Sequence, residues 1–212
     1  GTVDFNRSNT YSFGGVISGS GGVDQTGSGT TNLTSAQTYT GNTDITGGTL
    51  QLSGSGRLAD TTADTVTSPG TFDLNNVSDT VGSIAGDGSI TLGSGTLTAG
   101  GNNTSTTFSG VISETGGLTK AGTGTLTLSG ANTYTSATTI NAGTLELGAA
   151  GVLSDSTAVT VGGSGTLDVN DNVENVGSLA GSGDVVLGSG TLGAGGDNTS
   201  TTFSGVVSGT GG

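Results

Sequence analysis

Residues 108–128 read Phe108-Ser-Gly-Val-Ile-Ser-Glu-Thr-Gly-Gly-Leu-Thr-Lys-Ala-Gly-Thr-Gly-Thr-Leu-Thr-Leu128. The last four, Thr125-Leu126-Thr127-Leu128, alternate polar and apolar. That period of two belongs to a strand with one buried face. The first six return as Phe203-Ser204-Gly205-Val206-Val207-Ser208, and in outline as Phe13-Gly14-Gly15-Val16-Ile17-Ser18. The Phe spacing is 95 residues both times. Residues 23–117 align on 118–212 without a gap, with 53 of 95 positions identical, which leaves 1–22 as a partial copy. The chain is therefore expected to form one continuous repeat structure over 1–212.

Within each copy lies a weaker repeat. Gly-Thr-Leu or a variant begins at Gly29, Gly48, Gly70, Gly95 and Gly124, in steps of 19, 22, 25 and 29 residues. Each unit holds short alternating runs, such as Thr144-Leu145-Glu146-Leu147 and Ala158-Val159-Thr160-Val161. Gly, Asn, Asp and Ser fill the corners between runs, where positive φ is needed. No stretch keeps helical spacing. The expectation is a single-stranded parallel β-helix of about nine coils of roughly 24 residues, with coils about 4.8 Å apart. Leu126, Leu128, Leu145, Leu147, Val159 and Val161 should face inward. A β-sandwich explains the alternation equally well but not an ungapped repeat whose copies end in mid-pattern.

Composition narrows the chemistry. Among 212 residues there are 45 Gly, one Pro, and no His, Cys, Met or Trp. Three Lys or Arg face 16 Asp or Glu, for a formal net charge of −13. No His or Cys means no metal site built on those ligands, no Ser-His-Asp triad and no thiol nucleophile. Such acidity repels phosphates and argues against nucleic acid. Charged residues are only 9% of the chain, while β-branched residues recur throughout, which argues for short strands rather than disorder. With no leader-like segment and no initiator Met, a piece of a longer chain is expected.

The run from Phe108 to Thr135, continued by Thr138-Thr-Ile-Asn-Ala-Gly-Thr-Leu-Glu-Leu-Gly148, resembles the passenger-associated repeat of bacterial autotransporters. The resemblance covers nearly the whole chain and is weakest over residues 1–12. It implies a right-handed β-helix secreted through, or displayed on, a Gram-negative outer membrane. It also implies a parent chain with an outer-membrane barrel, and it carries no enzymatic signature.

No catalytic, cofactor-binding or metal residue stands out. Paired carboxylates could hydrolyse glycosides, but Asp60 and Asp155, Asp73 and Asp168, and Asp79 and Glu174 recur with the repeat, which fits coil determinants better than one active site. Calcium is conceivable only at oxygen-rich turns such as Asp168, Asn170, Asp171 and Asn172, whose side chains are equally explained by turn hydrogen bonds. Arg7, Arg57 and Lys120 do not recur and should be solvated. Tyr39 and Tyr134, and Phe13, Phe108 and Phe203, should pack inside or at corners. Thr125, Thr127 and Thr144 should lie on outward ribbons.

The expected function is a non-enzymatic stalk or passenger segment outside the cell. Two alternatives stand beside it. One is an adhesin whose ribbons or loops meet a glycan or host protein. The other is a protomer that associates axially, end to end, with the rest of its chain or with other copies, because terminal ladders are unpaired.

Overall fold

The computed structural model describes residues 1–212 and is a single-stranded, right-handed parallel β-helix with no helix. Every strand pairing is parallel, and most turns carry strands on three faces. The first face begins at Thr2–Phe5, followed on successive turns by Gly22–Gln25, Thr43–Ile45, Ala63–Val66 and Ser83–Ala85. A bridge from Gly86 to Phe108 carries it to Thr106–Phe108 and Thr125–Leu128. The second face stacks Tyr11–Phe13, Thr30–Leu33, Thr49–Leu52, Thr71–Asp73, Ser89–Thr91 and Val111–Ser113. On the third lie Asp79–Val81, Thr96–Ala99 and Gly117–Lys120. The long strands Thr138–Leu147 and Ala158–Asp168 round the corner from third face to first and join the two sheets.

The coils are shorter than the Gly-Thr-Leu spacing suggests. Along the first face, register steps run from 18 residues (Thr166 to Asp184) to 22 (Val185 to Val207). About ten turns result, rather than nine. At about 4.8 Å per turn the rod is about 48 Å long.

One consequence was not visible in the repeat itself. Residues 95 apart lie on different faces. Thr31 pairs with Tyr11 and Leu50 on the second face, whereas Leu126 pairs with Thr106 and Leu145 on the first. Phe13 lies on the second face, Phe108 on the first and Phe203 on the third. From one copy to the next the chain makes four turns and two faces of a fifth. The four Gly-Thr-Leu units therefore do not correspond to four coils.

The interior is one narrow column of stacked side chains running from Phe5 to Leu187. Thr31, Leu50, Phe72, Ile90 and Ile112 form one ladder on the second face, all buried. Leu126, Leu128, Leu145, Leu147, Val159 and Val161 all face inward. Each apolar rung covers the one below and keeps water from the ladder bonds. Glycines mark a corner where successive turns touch. A Cβ on Gly110 would lie 1.8 Å from the Gly88 carbonyl oxygen, and one on Gly130 would lie 1.9 Å from that of Gly110. At that approach only glycine fits.

Candidate functional site

The strongest chemical groups gather at two corners, one between the third and first faces and one between the second and third. Tyr39 ends a third-face strand, and Thr43 opens the next first-face strand. Their hydroxyls meet at 2.6 Å, both side chains fully buried. Tyr134 and Thr138 repeat the pair at the same distance. Burial pushes both phenols up, and Asp64 beside Tyr39 and Glu174 beside Tyr134 push the same way. The tyrosines are packing groups, as their recurrence suggested. Phe108 is also fully buried, while Phe13 and Phe203 are half-buried against the core.

The recurring carboxylates do three different things. Asp79 and Glu174 are buried and cap backbone amides: Leu58 donates to Asp79 Oδ2 at 3.0 Å, and Val152 and Leu153 donate to Glu174 at 2.8 and 3.3 Å. Desolvation raises both, Asp79 to about 7. Asp73 and Asp168 are turn acceptors for the amides of Asn75 and Asn170, at 2.8 and 2.9 Å. Asp60 and Asp155 are both exposed, Asp155 at the rim of a surface cleft.

Two clefts open on the surface. The larger, about 540 Å³, is lined by Asp73, Asn75, Asn76, Gly93, Glu114 and Thr115, with no apolar side chain. Its carboxylates already hold protein donors. Asp73 accepts from Gln51 Nε2 at 2.7 Å as well as from the Asn75 amide, and Glu114 accepts from the Gly93 amide at 2.5 Å. The smaller, about 380 Å³, is lined by Asp155, Asn175, Val176, Gly193, Ala194 and Gly196, with a single carboxylate. Neither presents two free carboxyls to a substrate.

The turn considered for calcium is similarly engaged. Asp168 accepts from the Asn170 amide, and Asp171 Oδ1 accepts from the Ser189 amide and hydroxyl at 2.7 and 3.1 Å. Those bonds hold the Asp171 carboxyl below its usual range. Asn172 presents its amide nitrogen, not its oxygen, to the carbonyls of Leu147, Val169 and Asn170. A calcium ion needs six to eight oxygens.

Lys120 corrects the expectation of a solvated cation. Its place in the alternation points inward, and it is fully buried. Nζ donates to the carbonyls of Ala121 at 2.6 Å, Gly122 at 2.9 Å and Ala142 at 3.3 Å. In the first copy Gln25 fills the same place, its Nε2 donating to Gly27 at 2.9 Å. Both donate to carbonyls gathered at the same corner, a need that composition does not reveal. Burial lowers the lysine from its ordinary value. Arg57 is half-buried, and its Nη1 donates to the Gly56 carbonyl. Arg7 is exposed, as expected, and stacks 4.9 Å over the Tyr11 ring. Thr125, Thr127 and Thr144 are half-buried on the outer side, where Thr127 donates to Glu146 at 3.1 Å.

Comparison with known proteins agrees with the repeat. The passenger-associated-transport-repeat family matches residues 23–52 and 118–147. The chain is similar to the adhesin BmaC autotransporter of Brucella suis biovar 1 (strain 1330), at 41% identity over 130 residues. That alignment covers 61% of this chain and 4% of the relative, so the chain spans only a small part of that protein's length. No solved structure matches the chain significantly. The two matched segments, 23–52 and 118–147, lie 95 residues apart, in step with the repeat, and support a resemblance to the repeat of autotransporter passengers.

Proposed function

We propose that this segment is a non-enzymatic stalk of a cell-surface or secreted autotransporter-like protein. The observation that carries the reading is the 95-residue repeat of four and two-thirds turns. Whatever one copy presents on one face, the next presents a third of a turn away. Val16, Val111 and Val206 show this: each is exposed, and they lie at or beside strands of the third, second and first faces respectively. Acidic groups are spread in the same way. Asp4, Asp24 and Asp44 stack in register on the first face, Asp73 lies on the second, and Asp60, Asp87 and Asp171 lie on turns. Such a rod repels its neighbours on every side and stays single and extended. The engaged carboxylates of the larger cleft, and the lone carboxylate of the smaller one, support the absence of catalysis.

An adhesin is the second reading, favoured by the name of the relative. It would act through many weak contacts around the rod rather than through one pocket.

The test is to titrate the purified 212-residue chain against immobilised glycans and host-cell surfaces, with solution scattering run in parallel. A rod without saturable binding supports the stalk. Saturable binding abolished by a surface substitution moves the assignment to the adhesin. Turnover of a polysaccharide or protein substrate refutes both.

A further inference from the structure

Asp64 and Asp79 both point into the core on the same turn. Asp64 sits on the first face between Thr43 below and Ile84 above, 1% exposed, and neither carboxyl oxygen has a hydrogen-bond partner. The nearby hydroxyls are shared: Thr62 donates to the Ala59 carbonyl at 2.8 Å and Thr43 is bonded to Tyr39 at 2.6 Å, and both lie close enough to Asp64 to oppose in part the effect of its burial. Asp79 lies on the third face in register with Leu97, 4% exposed. Its Oδ2 accepts the Leu58 amide, and its Oδ1 has no partner. Three buried carboxyl oxygens are thus left bare. The charged and titratable groups facing the pair are mostly acidic: Asp44 toward Asp64, Asp60 toward Asp79, and the Tyr39 hydroxyl toward both. Arg57 alone opposes them, from a half-buried position beside Asp79.

The second copy contains the matching control. Val159 replaces Asp64, fully inside the core. Glu174 replaces Asp79, and its longer side chain reaches two amides, Val152 and Leu153, with no oxygen left bare. The same turn is therefore built once with an unsatisfied acid pair and once with a satisfied single acid.

We propose that the turn carrying Asp64 and Asp79 is a pH-responsive weak section of the rod, closed when the pair is protonated and loosened when it ionises. A bare buried carboxylate is costly, and a neutral carboxyl much less so. Desolvation pushes Asp64 well above the ordinary carboxylate range, and Asp79 to about 7. Both folded-state values lie above the unfolded ones. The stabilisation is therefore full at acid pH; for Asp79 it is lost as the pH rises through about 7, and for Asp64 as the pH rises well beyond the ordinary carboxylate range. The rod would be tight throughout in an acidic medium, and at neutral to alkaline pH it would yield at this turn before its counterpart in the second copy.

The experiment is amide hydrogen exchange on the intact 212-residue chain at pH 5 and pH 8.5, read as protection factors after correction for intrinsic exchange. Amides over 58–66 and 79–86 should lose about tenfold or more in protection between the two conditions, relative to those over 153–161 and 174–181. Asp64→Val, which copies Val159, should remove most of the difference, and Asp79→Asn the remainder. Equal pH dependence in the two copies overturns the proposal. So does a difference that survives both substitutions. Millimolar calcium restoring protection at pH 8.5, in a manner that Asp79→Asn abolishes, would replace the proton by a bound cation.

Discussion

Tyr39 and Tyr134 make the same hydrogen bond on different sides of the molecule. Each pairs with a threonine four residues later at 2.6 Å, yet Tyr39 belongs to the third face and Tyr134 to the second. The corner they close is a local unit of sequence. It works at two different corners, third to first for Tyr39–Thr43 and second to third for Tyr134–Thr138, because both side chains are buried in each.

Replacing Tyr134 by Phe should cost stability without changing the fold. Thr138 is fully buried, and its hydroxyl would lose its partner, at about 1–3 kcal/mol. Thermal unfolding should shift down by about 2–4 °C per kcal/mol for a chain of this size. Tyr39→Phe should cost less. It removes a phenol that faces Asp64, and the Thr43 hydroxyl keeps that carboxyl as a partner. Equal shifts for the two variants would contradict this account.

Lys120 should tolerate Gln far better than Ala. Gln25 already fills the equivalent cradle in the first copy. Lys120→Gln keeps amide donors to the corner carbonyls and removes a buried charge. Lys120→Ala leaves three carbonyls without a donor and opens a void, at about 2–4 kcal/mol. Calorimetry of the two variants gives the order directly.

Gly110→Ala should be harmful, although alanine is small. Its Cβ would fall 1.8 Å from the Gly88 carbonyl oxygen, so adjacent turns must part. An overpacking cost of about 1–3 kcal/mol is expected. Gly101→Ala, where an added Cβ meets nothing, is the control. Urea unfolding of the pair should separate them clearly.

Deleting residues 23–117 should leave a folded rod. The junction joins Gly22 to Leu118, as Gly117 joins it now, and the pattern runs on. Four and two-thirds turns are lost, about 22 Å of length at the usual strand spacing. Scattering should show that shortening, with circular dichroism per residue unchanged. Leu126 would then take the second-face place that Thr31 holds now.

The parallel coil and its inward residues were legible because both rest on local patterning. A period of two assigns Leu126, Leu128, Leu145 and Leu147 to one side of the backbone, and a repeat of 95 says that this side must be met again and again. The family resemblance rested on the same residues. The candidate sites were harder. Asp79 and Glu174 were visible as recurring acids, but their burial was not, since a carboxylate capping an amide in the core and one capping a surface turn look alike in sequence. The burial of Lys120 is hidden in the sequence for a similar reason. Its inward place in the alternation was readable, but the carbonyls that accept its protons come from a corner and from the turn above.

The sequence by itself determined the strand, the corner and the repeat, because side-chain alternation and turn chemistry act over a few residues. Only the tertiary structure decided how many residues close one turn, and hence which face each repeat unit occupies. Closure is set by backbone hydrogen bonding to the turn beneath, which is satisfied at steps of 18 to 22 residues with slack taken up in the corners. Nothing in that condition requires the turn to divide the repeat evenly, and at four and two-thirds turns per copy it does not.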